Sequence, residues 1–344
     1  MEQRNGRSCA KSGSHWLTNR LLIISFYLLV SVVFTTLYFK TTEGWHPADF
    51  RAYAGMAGEY PGYVEAFKCR ILMPLMIRGL AQATNLDLAI IFKLTGVLAV
   101  FALLAGYRRF LANFLHPGFA TLFSVAIVYP LAWNFCVLNN LYFPFDLPAI
   151  AFFAIGCHLI RARKWVAYYA VFALATLNRE TSCLLAFVFL FGMWGSMRRK
   201  SLVVHVLAQA LLWAGLRGAL SAVVGGNLGL MTKSHLGSNA RVIIDMILFR
   251  ASGPRDLVKM LLMFGGVWAL LPWIARRQPV FLKRSLLVLI PLAVLVAAKG
   301  VLDEVRLYGE AIPIIMTPVI YKLAAELGGA RAVSGADRQP TQAG

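Results

Sequence analysis

The sequence predicts an all-α, polytopic membrane protein with about ten transmembrane helices. Three observations carry this. Only 14% of the residues are charged, 59% are hydrophobic and the mean hydropathy is +0.67, whereas a soluble domain of this size carries about 25% charge. Apolar runs recur along the chain and approach the ~20 residues needed to cross a bilayer. The net charge of +19 falls in short clusters between those runs. That is the pattern of cytoplasmic loops in membrane proteins, and no aromatic-basic interleaving points to nucleic acid.

In chain order the spans are 21–39, 87–106, 119–137, 143–160, 165–178, 182–196, 201–224, 257–274, 285–300 and 308–324. The first is too long for the apolar core of a signal peptide and is read as a membrane helix. Several prolines (130, 144, 148, 291, 313, 318) lie in or beside spans, where neighbouring helices re-satisfy the carbonyls they free. Residues 1–327 form one transmembrane domain, and the polar segment 328–344 is expected to be a disordered tail. The cysteines show no metal-ligand spacing, no histidine cluster suggests a metal, and no cofactor is indicated, although a divalent metal is compatible with the chemistry below.

Charge assigns the sides. With the amino terminus inside, every inner segment is basic, as in 161-RARK-164 and 198-RRK-200. Nineteen bases then face only Glu2, Glu326 and Asp337. Ten spans with both termini in the cytoplasm satisfy the rule. The absence of an N-x-S/T sequon agrees with a bacterial inner (plasma) membrane location. Two long outer loops result, 40–86 and 225–256. In the first, Ile71, Leu72, Leu75, Met76 and Leu80 recur at helical spacing, and in the second Val242–Phe249 is apolar. Both predict helices lying in the membrane interface.

The most informative stretch is 176-TLNRETS-182, an Arg–Glu dipeptide between two of the most apolar runs. The run Trp165–Leu177 spans about 20 Å, short of a hydrocarbon core of roughly 30 Å. Both flanks begin at basic clusters, so the segment reads as a hairpin whose apex, Arg179–Glu180, turns below the outer surface. Charges at that depth mark a functional site or a structural ion pair, because lipid exposure is too costly.

Other charges gather on the same side. Asp49 follows the first span, with Glu43 and His46 nearby, and is either a helix cap or a site acid. Arg70 opens the interfacial helix and either snorkels or binds phosphate. Asp146, in 143-FPFDLP-148, complements a helix dipole or joins the site. Arg306 and Glu310 are four apart and share a helical face, as a local ion pair or as part of the site. Lys93, Arg217, Lys259 and Lys299 lie within or near span ends, with Lys259 and Lys299 expected to snorkel. Arginines bind phosphate bidentately and a carboxylate can take a hydroxyl proton. This is a kit for chemistry on a phosphate-linked lipid.

The acid in the first outer loop (Asp49), the segment KCRILMPLM, the NRET hairpin and a late Arg306 before Pro313 resemble the GT-C superfamily of integral membrane glycosyltransferases. The resemblance covers about 40–325. It implies a polyprenyl-phosphate-linked sugar donor, a lipid or glycan acceptor of the cell envelope, a periplasmic active site and inversion at the sugar carbon. It implies Asp49 as the general base, with Arg70, Arg179 and Arg306 holding the donor phosphate; the residues themselves add Glu180, Glu310 and Asp146 as candidates for binding the substrate. Alternatives on the same residues are a transporter or flippase, or a polysaccharide polymerase using lipid-linked donors.

Overall fold

The computed structural model describes residues 6–42, 69–138, 142–224, 234–275 and 278–330. The protein is helical, and among the described residues no strand forms beyond a single bridge between Leu115 and Ala330. Twelve helical segments are used below. They are α1 (Gly6–Thr41), α2 (Leu72–Thr84), α3 (Leu88–Leu111), α4 (Pro117–Val137), α5 (Asp146–Arg161) and α6 (Trp165–Asn178). The rest are α7 (Glu180–Met193), α8 (Arg199–Val224), α9 (Leu236–Ile247), α10 (Gly253–Leu262), α11 (Val280–Lys299) and α12 (Ile312–Glu326).

Six segments are long and apolar enough to cross a membrane: Arg20–Thr41, Leu88–Leu111, Pro117–Val137, Arg199–Val223, Gly253–Ile274 and Val280–Lys299. This is a membrane protein by that measure. The long helices present apolar residues outward, among them Val33, Leu98, Leu122, Leu211 and Ile290. The other four predicted spans are shorter. They coincide with α5, α6 and α7 (16, 14 and 14 residues) and with α12 (15 residues). At 1.5 Å per residue these reach only about 21–24 Å. α5 and α12 are largely enclosed, with twelve of sixteen and nine of fifteen residues buried, whereas α6 keeps Val166 and Leu174 at the surface. A helix shielded by its neighbours does not need the length that a lipid-facing helix needs. Hydropathy scores both kinds alike, which is why ten spans are expected and six are long enough.

Small residues bring the interior helices together. A Cβ on Gly106 of α3 would lie 2.5 Å from Ile155 of α5, and one on Gly156 of α5 would lie 2.8 Å from Leu185 of α7. Close backbone approach at small residues is how membrane helices gain packing without a hydrophobic drive between them. The α6–α7 hairpin is closed at its base, where Arg163 Nη2 donates to the Ser196 carbonyl at 2.8 Å. The same end of the bundle joins Asn113, beyond α3, to His158 of α5 at 3.1 Å.

Three helices are interrupted. α4 ends in a π-helical turn, Trp133–Val137. The predicted span 257–274 breaks after α10, where Phe264, Gly265 and Gly266 all take left-handed φ (58°, 65° and 74°). The break is anchored on α4. Asn134 Oδ1 accepts from the Phe264 amide at 2.7 Å, and Tyr129 donates to the Gly265 carbonyl at 3.0 Å. A third irregular segment, the 3-10 stretch Val305–Ala311, precedes α12. Asn134 Nδ2 also reaches the Val305 carbonyl, at 3.4 Å.

α2 and α9 are amphipathic. α2 exposes Leu75, Met76 and Leu80 and buries Met73 and Ile77. α9 exposes Ile243, Ile244 and Ile247 and buries Asn239, whose amide clamps the carbonyls of Ala297 and Gly300 at 2.8 and 2.9 Å. Of the segment 328–344, expected to be a disordered tail, residues 328–330 are described and ordered. Gly328 turns through φ 72°, and the Gly329 carbonyl accepts from the His116 amide at 3.0 Å. Backbone bonds of this kind order a segment whose composition is polar. Residues 331–344 lie outside the described residues.

Candidate functional site

The chain leaves α6 because Arg179 is extended, with φ −158° and ψ 143°. In extended backbone, successive side chains point to opposite sides. The adjacent charges Arg179 and Glu180 therefore go to different partners and do not form the ion pair that their adjacency suggests. Arg179 Nη1 lies 3.2 Å from Asp146 Oδ1 and 3.2 Å from Glu310 Oε1. Glu180 receives Arg70 through both carboxylate oxygens: Nε donates to Oε2 at 3.0 Å and Nη2 to Oε1. Arg217 of α8 adds a third cation, Nη2 lying 3.9 Å from Glu180 Oε2, while its Nη1 donates to the Cys69 carbonyl at 2.9 Å.

Asp146 joins the two ends of the cluster. Its Oδ2 lies 3.2 Å from Arg306 Nη1. Arg306 turns its other edge on Glu304, Nε donating to Oε1 at 2.6 Å and Nη2 reaching the same oxygen. Arg306 thus pairs with Asp146 and Glu304 instead of with Glu310. The segment 305–311 is a 3-10 helix, whose three-residue turn removes the i, i+4 register assumed from sequence. Glu310 Oε1 accepts from the Thr181 hydroxyl and is ion-paired with Arg179 Nη1 at 3.2 Å.

The short segment 143–148 underlies all of this. Phe143 stacks beneath Arg306 (Cζ 3.7 Å from the ring centroid) and Phe145 beneath Arg70 (4.3 Å). The rings supply quadrupole attraction to both guanidinium faces. Asp146 begins α5 between them, fully buried, so it does far more than complement a helix dipole. Asn178, the last residue of α6, donates to the Phe145 carbonyl at 2.9 Å and fixes this segment against the hairpin apex.

Among the described residues the cluster holds four guanidinium groups (Arg70, Arg179, Arg217, Arg306) and four carboxylates (Asp146, Glu180, Glu304, Glu310), whose formal charges balance. Arg70 does not snorkel; it is 1% exposed. Burial draws its pKa below the ordinary arginine value and the Glu180 carboxylate opposes this. It remains a cation at neutral pH. One edge of the cluster stands out. Arg179 uses only Nη1 on its two carboxylates, and its buried Nε and Nη2 have no hydrogen-bond partner among the described residues. Those two donors form the side-on fork of the guanidinium, the geometry that takes two oxygens of one oxyanion.

Of the site residues expected from sequence, the structure brings Arg70, Asp146, Arg179, Glu180, Arg306 and Glu310 into one cluster. Asp49, with Glu43 and His46, lies outside the described residues. Arg217, Glu304 and Thr181 are additions. Arg217 was legible as an arginine inside an apolar span. Trp213, one turn before it on α8, donates its indole N–H to the Glu180 carbonyl at 3.0 Å, so the i, i+4 pair faces the hairpin apex. Lys259 pairs with Asp303 at 3.7 Å. No group of three or more His, Cys, Asp or Glu is placed to hold a metal among the described residues. In comparisons with known proteins, no family model, no curated protein and no solved structure matches this chain.

Proposed function

We propose that the protein is a membrane glycosyltransferase of the GT-C type, moving a sugar from a polyprenyl phosphate to a lipid or glycan acceptor on the periplasmic face of the bacterial inner membrane. On this reading the remaining short helices complete ten crossings, both termini are cytoplasmic, and α2 and α9 lie in the outer interface beside the site. The observation that carries it is the Arg179 fork, two aligned donors held in a buried cluster of arginines. A charged edge at that depth is costly in lipid and is suited to a phosphate that arrives with a lipid tail.

The chemistry follows from the parts. The acceptor hydroxyl attacks the sugar carbon, the bond from that carbon to the phosphate oxygen breaks, and the polyprenyl phosphate leaves with the electron pair. Arg179 and Arg306 stabilise the charge that grows on the leaving oxygens. Asp146 and Glu310 orient Arg179, and Glu180 orients Arg70. The acceptor proton goes to a carboxylate, which the family resemblance assigns to Asp49.

Release of polyprenyl phosphate from labelled polyprenyl-phosphate sugars, by protein in lipid nanodiscs, tests this. Arg179→Lys keeps the charge and removes the fork, and is expected to lower release by about a hundredfold, the scale seen when one stabilising donor is lost. Asp49→Ala is expected to stop transfer. Wild-type release in both variants, with normal insertion, would overturn the reading.

A further inference from the structure

The two ion-paired forks of the cluster are unequal. Arg70 meets Glu180 with two donors on two oxygens, the matched arrangement. Arg306 directs the same pair of donors, Nε and Nη2, at one oxygen of Glu304. Its fork is occupied but not matched. Among the described carboxylates of the cluster Glu304 is the most exposed, its side chain being 20% accessible against 7% for Glu180, 3% for Glu310 and 0% for Asp146. It stands in the turn between α11 and the 3-10 stretch, outside any helix. Arg306, by contrast, is held from two other directions, by Asp146 through Nη1 and by the Phe143 ring beneath it.

We propose that Glu304 is an internal counterion which the anionic group of the substrate replaces on Arg306. This rests on the phosphate-binding reading above and deepens it. With Glu304 in place the described charges of the cluster balance. Turning Glu304 out to water takes one negative charge from Arg306, which a phosphodiester monoanion restores. A phosphate presents two oxygens to the Arg306 fork, where Glu304 offers one. Arg306 keeps its position during the exchange because Asp146 and Phe143 do not move with Glu304. The return of Glu304 then helps to expel the phosphate product, so this side chain sets affinity in one direction and release in the other. Asp303, its neighbour, is committed to Lys259 at 3.7 Å and takes no part.

Binding of a short, water-soluble prenyl phosphate to the purified full-length protein, followed by calorimetry, tests the exchange. Inorganic phosphate and the uncharged prenol are run beside it. Glu304→Gln is expected to bind the prenyl phosphate about tenfold tighter, the equivalent of one competing charge-assisted hydrogen bond. Asp303→Asn is expected to stay within about twofold, since it changes the local charge equally without touching Arg306. Equal tightening for inorganic phosphate supports exchange by the phosphate group alone. Tightening confined to the prenyl phosphate supports exchange that also needs the lipid tail. No change for the prenol is expected in either case. Wild-type binding with no gain in Glu304→Gln, or an equal gain in Asp303→Asn, overturns the exchange and leaves the phosphate site standing. Absence of binding in the wild type and in Glu304→Gln overturns both. Thermal unfolding of Glu304→Gln close to wild type shows that the variant is folded.

Discussion

Glu180 and Glu304 both face an arginine fork in the same cluster, yet they are built for different ends. Glu180 is buried, receives Arg70 through two oxygens, has Arg217 at its side and has its carbonyl capped by Trp213. Glu304 lies in a turn, offers one oxygen and is partly wet. A buried pair with matched geometry cannot be opened without exposing charges to a low-dielectric interior. A partly exposed acid can leave, because water takes up its charge. The difference separates a scaffold from an exchangeable contact, and arginine content alone would not distinguish them.

The largest effect is expected at Arg179, which ties the end of α6 to both Asp146 and Glu310. Arg179→Ala leaves Asp146 with a single arginine and Glu310 with none of its present ion pairs. It should cost about 3–5 kcal/mol of stability, the range for breaking a buried pair, read by chemical unfolding in detergent. On the enclosed side, Glu180→Gln removes the carboxylate that Arg70 and Arg217 share, and about 3 kcal/mol is expected. A double-mutant cycle with Arg70→Gln should return a coupling of roughly 2 kcal/mol or more; a coupling near zero would remove the distinction between Glu180 and Glu304. Phe143→Leu removes the ring under Arg306 while leaving its ion pairs. A loss of about 1 kcal/mol is expected, together with weaker binding of the prenyl phosphate. Glu304→Gln should change stability least, by under about 1 kcal/mol, as for an ion pair near solvent. A cost at Glu304 equal to that at Glu180 would make both acids structural.

Much of the helical layout was legible. The predicted segment 165–178 matches α6, and 201–224 and 119–137 agree with α8 and α4 within a few residues, because apolar runs bounded by basic clusters leave the backbone few alternatives. The break at Phe264–Gly266 was not. Two glycines permit left-handed φ, but a left-handed Phe264 is held there by Asn134 and Tyr129 from α4, more than a hundred residues away. The role of Arg217 was half legible: an arginine in an apolar span signals a buried partner, but which acid it meets depends on how α8 packs against the hairpin apex.

From composition and charge spacing alone follow a helical membrane protein, basic clusters at one end of its helices, and acids with arginines at the other. These are local facts, fixed by transfer costs that each segment meets separately. Pairing is another matter. Arg179 and Glu180 are neighbours in the chain and face different partners, because one extended residue turns the two side chains apart. Asp146 and Arg179 are far in sequence from Arg306 and Glu310 and meet them because α5, α6 and the 3-10 stretch before α12 converge. Which charges neutralise one another, and which fork has no partner among the described residues, is decided by that convergence. Coulomb energies in a poorly solvated interior depend on distances of a few ångströms, and only the packed structure sets those distances.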